Sequence, residues 1–436
     1  MKRLKQTLKW SGIALGGLAA ILLIANALFV WTTDARLERK LAEIRKAGDP
    51  LTLADLTRPP IPPEKNAATY LRQAQADSDA MQNIADQHRF LTFFRYTEFP
   101  MPAAVQKLVK ERLDAYPKVI PLLQKAAECP DYDAQLDYTV DPETFVSQLL
   151  PLVQQCRALS RVLQARAMLL AAEGHGDEAV RTSLVLFRLV RHFEHNPALV
   201  SYLVAITVQG IAVESANRGL QAGPVSKEVR QALDAELALH ERMEGYSWAI
   251  KTDRAFGLDS FRGFPLRNFW LYSRGRWNRE ESEYLDTIAA YLAMAPDRHP
   301  YRQSKLTLDK STGQFTGSFA ELYFPSLDAT HLAATRTRAM IRCLRVLNAL
   351  QTHVPAGSNE TPKITDLGLP VETTTDPFAP YDADKSLHIK KTPQGWLVYS
   401  VGPNEKDDGG KINGPNPNLD DFGVGPPAAT AKSDKK

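Results

Sequence analysis

Side chains able to do chemistry gather at a few places along the chain. The densest lies near the C-terminus, where Asp407-Asp408-Gly409-Gly410 is followed by Asn413 and by Asp420-Asp421. A hard cation such as calcium needs several oxygen ligands, and carboxylates with an amide at this density could supply them while the glycines let the backbone curl. The spacing is not that of an EF-hand: Lys406 stands where an acid should, and Pro415 where the closing glutamate should. A second acidic group, Asp131, Asp133, Asp137 and Asp141 around Tyr132 and Tyr138, could also hold a cation, but reads first as a polar loop between helices. His192 and His195 stand three apart and could share a metal. A helix-end pair before the Asn196-Pro197 break is the simpler account. Glu236, His240 and Glu244 recur at four-residue steps, which expects one helix face, plainly a solvated one and more sharply an acid–base or metal site.

Established catalytic signatures are missing from the sequence. It has no His-Glu-x-x-His, no Gly-x-Ser-x-Gly, no phosphate-cradling glycine loop ending in Lys-Ser or Lys-Thr, and no Cys-x-x-Cys. The expectation is therefore a protein that is not an enzyme. Cys129, Cys156 and Cys343 are too few and scattered for a disulfide framework. Cys156 and Cys343 sit in apolar helical runs, and one bridge involving Cys129 stays open. The net charge of +3 over 436 residues argues against a nucleic-acid binder. Apolar residues at 44% and charged residues at 24% are ordinary for a folded chain with sizeable cores.

The elements that must position these groups begin with an anchor. From Ser11 to Trp31 there is no charged side chain, and a run of about 20 residues matches the hydrocarbon core of a bilayer. Lys2, Arg3, Lys5 and Lys9 precede it without an acid, which favours a cytoplasmic N-terminus. Trp10 and Trp31 bracket it at the two interfaces. The lipid bilayer is thus the first expected partner, and a single-pass protein of a bacterial inner membrane with an extracytoplasmic body the expected location. The alternative is secretion after cleavage near Ala27, since Ala25-Asn26-Ala27 fits a cleavage site, although Leu28 to Trp31 continue the apolar run. Gly12, Gly16 and Ala20 form a small-residue ladder through which two anchors could weakly associate.

Beyond the anchor, residues 34–47 read as a charged helix ending at Gly48-Asp49-Pro50. Arg58-Pro59-Pro60-Ile61-Pro62-Pro63 reads as a stiff extended spacer that holds the body off the membrane. Helical periodicity then dominates. Phe145, Leu149, Val153, Cys156, Leu159, Leu163 and Leu170 keep to one face of a long helix opened by Asp141-Pro142-Glu143. Glu173-Gly174-His175-Gly176 ends it. A second helix carries Val180, Leu184, Phe187, Val190 and Phe193, and a third, Leu199 to Leu220, is apolar over most of its surface and so central. The turn between the first two is like that of a tetratricopeptide hairpin, without a second copy at a fixed period. Residues 256–282 interleave Phe256, Phe261, Phe264, Phe269, Trp270, Tyr272 and Trp277 with Arg262, Arg267, Arg274, Arg276 and Arg279. That pattern suits a surface excursion packed back on the body or a membrane contact.

The C-terminal third changes character. A helix from Leu332 to His353 leads to Asp376-Pro377-Phe378, then to the strand Trp396-Leu397-Val398-Tyr399-Ser400-Val401-Gly402, then to the acidic loop. This layout, over about residues 332–422, resembles the C-terminal region of the major pseudopilins of type II secretion. It is also similar to uncharacterised membrane-anchored bacterial proteins that carry a helical middle region. The resemblance implies a calcium ion in the loop after the strand, held by Ser400, Asp407, Asp408 and Asp420. The chain departs from a pilin in having no prepilin cleavage site before its apolar run and a long body between anchor and head, so assembly into a pseudopilus is not expected.

Together these give a mainly α protein. The expected segments are a cytoplasmic tail (1–9), a transmembrane anchor (10–32), a juxtamembrane helix and proline-rich spacer (33–65), a helical bundle or solenoid-like domain (66–304), a linker (305–330), a small α+β head with short antiparallel strands (331–423) and a disordered tail (424–436). The expected role is a scaffold or protein-interaction module with a calcium-stabilised head. The rivals are a hydrolase-type enzyme with its site in a groove of the helical domain, and a factor that remodels membrane surfaces.

Overall fold

The computed structural model describes residues 2–82, 101–263, 271–294, 318–354, 360–380, 384–412 and 420–426. Helix α1 runs unbroken from Lys2 to Lys46 and stops where Gly48 takes φ +72°. Most of its apolar part stands free, with Trp10 66% and Trp31 69% exposed, and it is long and apolar enough to cross a membrane. The following helices are α2 (Ala67–Gln82), α3 (Ala103–Ala115), α4 (Val119–Glu128), α5 (Pro142–Ala172), α6 (Gly176–Phe193), α7 (Leu199–Ala222), α8 (Lys227–His240), α9 (Glu244–Arg262), α10 (Leu271–Ala293) and α11 (Ser318–His353).

Helices α5, α6 and α7 pack on one another at the centre. As the sequence expects, the Asp141 side chain caps α5 by accepting from the Glu143 and Thr144 amides, with Pro142 in the first turn. Phe145, Leu149, Val153, Cys156, Leu159 and Leu163 are buried, while Leu170 is half-exposed and Leu169 is buried in its place. Helices α6 and α7 meet at glycines. A Cβ at Gly176 would stand 2.9 Å from the Gly219 carbonyl, and one at Gly219 would stand 2.9 Å from Val180 Cγ2. Helix α7 is as long and apolar as a membrane span requires but is wrapped by its neighbours. Its N-terminus is capped from a distant element: the Ala198 amide donates to Thr252 Oγ1 and the Leu199 amide to Asp253 Oδ1, both on α9.

Helix α11 ties body to head. It packs on α7, α8 and α10 and also on a three-stranded antiparallel sheet, β1 (His388–Thr392), β2 (Gly395–Ser400) and β3 (Phe422–Val424), in the order β1-β2-β3. One core cluster holds body residues together with Leu387, Trp396, Val398 and Val424 of the head. The junction is completed by Arg345, which is buried and donates to Asp234 and Glu241 of the body and to Thr373 of the head.

Two expectations need correction. The proline-rich stretch is extended and mostly exposed, but it does not stand the body off the anchor. Leu51, Leu53 and Leu56 are buried, Arg58 lies over Trp248, and α1 itself docks on α10 through buried Leu37 and Leu41. Proline sets the backbone conformation, whereas the flanking leucines decide where the segment lies. Part of the stretch read as a linker is helical, because α11 starts at Ser318 and Leu327 is buried in the cluster of Ile288 and Tyr291. Residues 305–317 and the tail from 427 lie outside the described residues. All three cysteines are free, Cys129 half-buried and Cys156 and Cys343 buried.

Candidate functional site

The end of α6, the end of α8 and the start of α9 converge on a groove of ≈ 480 Å³. Trp248 of α9 lines it, held in place by its indole N–H, which donates to the His195 carbonyl at 3.1 Å. Arg58, carried by the proline-rich strap, lies over the Trp248 ring at 5.3 Å, a cation–π contact. Arg191, Glu194 and His195 come from the end of α6, where Asn196-Pro197 stops the helix. Leu239 and Arg242 come from the end of α8, and Glu244 and Gly245 from the start of α9.

Behind this wall sits a buried charge cluster. Glu236 accepts from Arg191 Nε at 2.8 Å and stands 3.7 Å from Arg188 Nε, with His240 Nε2 at 3.6 Å. Burial pushes the Glu236 carboxyl up, but the His240 contact and the charges of Arg191 and Arg188 outweigh it and hold the group below its ordinary range. Glu194 goes the other way: burial raises it against the pull of His240 and Arg191. Its carboxylate lies against the first turn of α9. A Cβ at Gly245 would stand 2.8 Å from the carboxyl, so a side chain there would push the carboxylate aside.

The expected triplet Glu236, His240 and Glu244 therefore does not share one solvated face. Glu236 and His240 are buried, α8 ends at His240, and Glu244 opens the next helix on the exposed side. His192 and His195 do not share a site. His192 is buried and stacked on Tyr132, and burial with the charges of His195 and Arg191 brings it down to about 4. His195 Nδ1 instead bonds the Arg191 carbonyl at 2.7 Å. Asp133, Asp137 and Asp141 each hold a local turn, accepting from Gln135, Thr139 and Thr144 respectively, so this loop is structural.

In the head, Asp376 of Asp-Pro-Phe is buried. It accepts from Ser400 Oγ at 2.7 Å and from the Val401 and Phe378 amides at 2.9 Å each. The Ser400 hydroxyl is thus turned towards Asp376, not towards the acidic loop. Asp407 accepts from Tyr399 and from the Gly409 amide, Asp408 from Asn404, and Asp421 from the Gly410 amide. Asp421 Oδ1 is buried without a hydrogen-bond partner, and burial with the charges of Asp407 and Asp408 pushes this carboxyl up. Asp420 also belongs to this loop. Among the described residues, no three His, Cys, Asp or Glu side chains converge closely enough to hold one ion.

Of the aromatic and basic stretch, Phe256 and Trp277 pack against the body and Phe261 is buried. Phe264, Arg267, Phe269 and Trp270 lie outside the described residues. The sequence reading missed Arg58, Arg242 and Trp248 as groove residues. They come from three separate segments without a shared motif. The chain matches no family model, no curated protein and no solved structure.

Proposed function

We propose that this chain is a membrane-anchored, extracytoplasmic interaction module, held in a bacterial inner membrane by α1, whose groove takes an acidic segment of a protein partner. The observation that carries this is the pair Arg58 and Arg242. Both line the groove beside Trp248, and among the described residues neither has an ion-pair partner. Unneutralised guanidiniums beside an aromatic face suit a carboxylate-bearing peptide, whose acids the arginines hold in bidentate fashion. The hydrolase reading has less support. None of the residues lining the groove carries a hydroxyl or thiol nucleophile, and the buried acid Glu236 is committed to two arginines. Packing of Phe256, Phe261 and Trp277 on the body likewise weakens the membrane-remodelling reading.

The test is fluorescence anisotropy of a labelled oligoglutamate peptide titrated with the full chain in detergent. Saturable binding is expected. Arg58→Glu with Arg242→Glu should weaken it at least about tenfold, the effect of charge reversal at a recognition site. Equal binding by wild type and variant would remove the groove from the account.

A second proposal concerns the head. The orphaned Asp421 Oδ1 among the charges of Asp407 and Asp408 is an arrangement that a calcium ion would relieve. Asp407, Asp408, Asp420 and Asp421, which do not converge on one point in the structure, would have to close on it. Ser400 would bring no hydroxyl, since that group is given to Asp376. Melting with calcium should exceed melting with chelator, and Asp408→Ala should abolish the difference. Identical melts in the wild type would end the calcium proposal.

A further inference from the structure

Helix α10 carries the body down to the depth of the anchor. The side of α1 covered by the body includes half-buried Asn26, Phe29, Val30 and Thr33 as well as buried Leu37 and Leu41. The first three precede Trp31 and so belong to the apolar run. Gly275 meets Phe29 and Val30 there: a Cβ on it would stand 2.6 Å from Phe29 Cδ1 and 3.3 Å from Val30 Cγ2. Further out, Arg274 and Asn278 bond Asp34, and Arg36 and Lys40 bond Asp286. The order of these contacts makes the two helices run in the same direction, away from the membrane. At a rise of about 1.5 Å per residue, Gly275 then lies within one turn of the Trp31 interface, on its apolar side.

Basic side chains cluster at that level. Arg274, Arg276 and Arg279 are 61%, 62% and 46% exposed. The Arg274 backbone lies at the depth of Phe29, yet its guanidinium reaches outward to Asp34, a residue about one turn farther along α1. That is how an arginine at a membrane boundary keeps its charge out of hydrocarbon. The acids beside them are Asp34 at 3.1 Å from Arg274, Glu280 at 3.9 Å from Arg276 and Glu283 at 2.8 Å from Arg279, with the Glu280 charge also acting on Arg279. Among the described residues, each guanidinium keeps further N–H groups for an anion.

We infer that the first turns of α10 rest in the extracytoplasmic leaflet and that Arg274, Arg276 and Arg279 form a collar for the phosphates of anionic phospholipids. The inference rests on α1 being a membrane anchor. The continuity of the Phe29–Gly275 contact with the apolar run, and the match of a cationic collar to anionic headgroups, select a lipid surface as the occupant. The module is thereby fixed in height and rotation on the bilayer, with its groove presented at a set distance from the surface.

The experiment uses the full chain in phosphatidylcholine vesicles with phosphatidylglycerol. A nitroxide is placed in turn at Leu22→Cys, Arg276→Cys and Arg181→Cys, each in a Cys129→Ser background, and depth is read from relaxation by oxygen against a water-soluble nickel chelate. The inference expects hydrocarbon depth at 22, headgroup depth at 276 and water at 181. Hydrocarbon at 22 with water at 276 would overturn the inference and leave the anchor intact. Water at 22 would overturn both. Lipid selection has its own readout: native mass spectrometry from mixed-lipid nanodiscs should find phosphatidylglycerol enriched around the wild type. The enrichment should fall several-fold in Arg276→Gln with Arg279→Gln. Enrichment unchanged in that variant would refute the collar.

Discussion

The body and the head each bury a carboxylate, and they hold it by opposite means. In the body, Glu236 is surrounded by the guanidiniums of Arg188 and Arg191 and the ring of His240, so its charge is met by charge. In the head, Asp376 is met by neutral donors: the Ser400 hydroxyl and the Val401 and Phe378 amides. Charge pairing leaves Glu236 below its ordinary range, while burial wins over hydrogen bonding at Asp376 and leaves it above. The difference follows from what each element can offer. Helices bring long basic side chains together from neighbouring faces. A strand end beside a tight turn brings backbone amides, which carry no net charge and therefore compensate burial less fully.

The largest effect is expected where the two regions join. Arg345 is buried and its fork bonds Asp234 and Glu241 on one side and Thr373 on the other. Arg345→Met would leave Glu241 short of a counter-charge and cost about 3–5 kcal/mol. Chemical denaturation should show one weakened transition if body and head are a single cooperative unit, as their shared core expects. Two separate transitions would break the comparison at its base, since the regions would then be independent domains. Next in size is Asp376→Ala, which strands three donors. Buried donors left unpaired cost about 1–3 kcal/mol each, less wherever water enters. Hydrogen exchange should speed in β2 and at Val401 and leave α8 near its wild-type rate. Equal loss in both would mean the clamp serves the whole molecule.

What the sequence made legible follows the reach of its signals. The cap at Asp141 and the Phe145–Leu163 stripe act within a few residues of themselves, and both stand in the structure. The strand Trp396–Ser400 stands too, because its aromatic and β-branched residues and bounding glycines are local as well. The groove could not be foreseen in the same way. Arg58, Arg191, Arg242 and Trp248 are brought together by the docking of α6, α8, α9 and the strap, and no spacing encodes that. Glu236 and His240 show the same limit: four-residue spacing fixes the face they share, while the neighbours that bury it come from α6. Gly176 and Gly219 offered a usable hint, since glycines in two apolar helices mark a close crossing.

The smallest effect is the most discriminating, because it has opposite signs in the two regions. Glu236 has a folded value below its unfolded one, so its contribution to stability is present above about 4.5, the ordinary glutamate value, and is lost as pH falls through the folded value. Asp376 has a folded value above its unfolded one, so its contribution is full below about 3.8, the ordinary aspartate value, and is lost as pH rises through the folded value. Acidification from neutrality should therefore loosen α8 and the end of α6 while relieving the strand end around Ser400. Hydrogen exchange followed down to mild acid reads both at once. Glu236→Gln should flatten the response in α8 alone, and Asp376→Asn the response in β2 alone. If both regions loosen together in the wild type, the neutral donors around Asp376 compensate its charge as fully as the arginines compensate Glu236, and the contrast between the two carboxylates disappears.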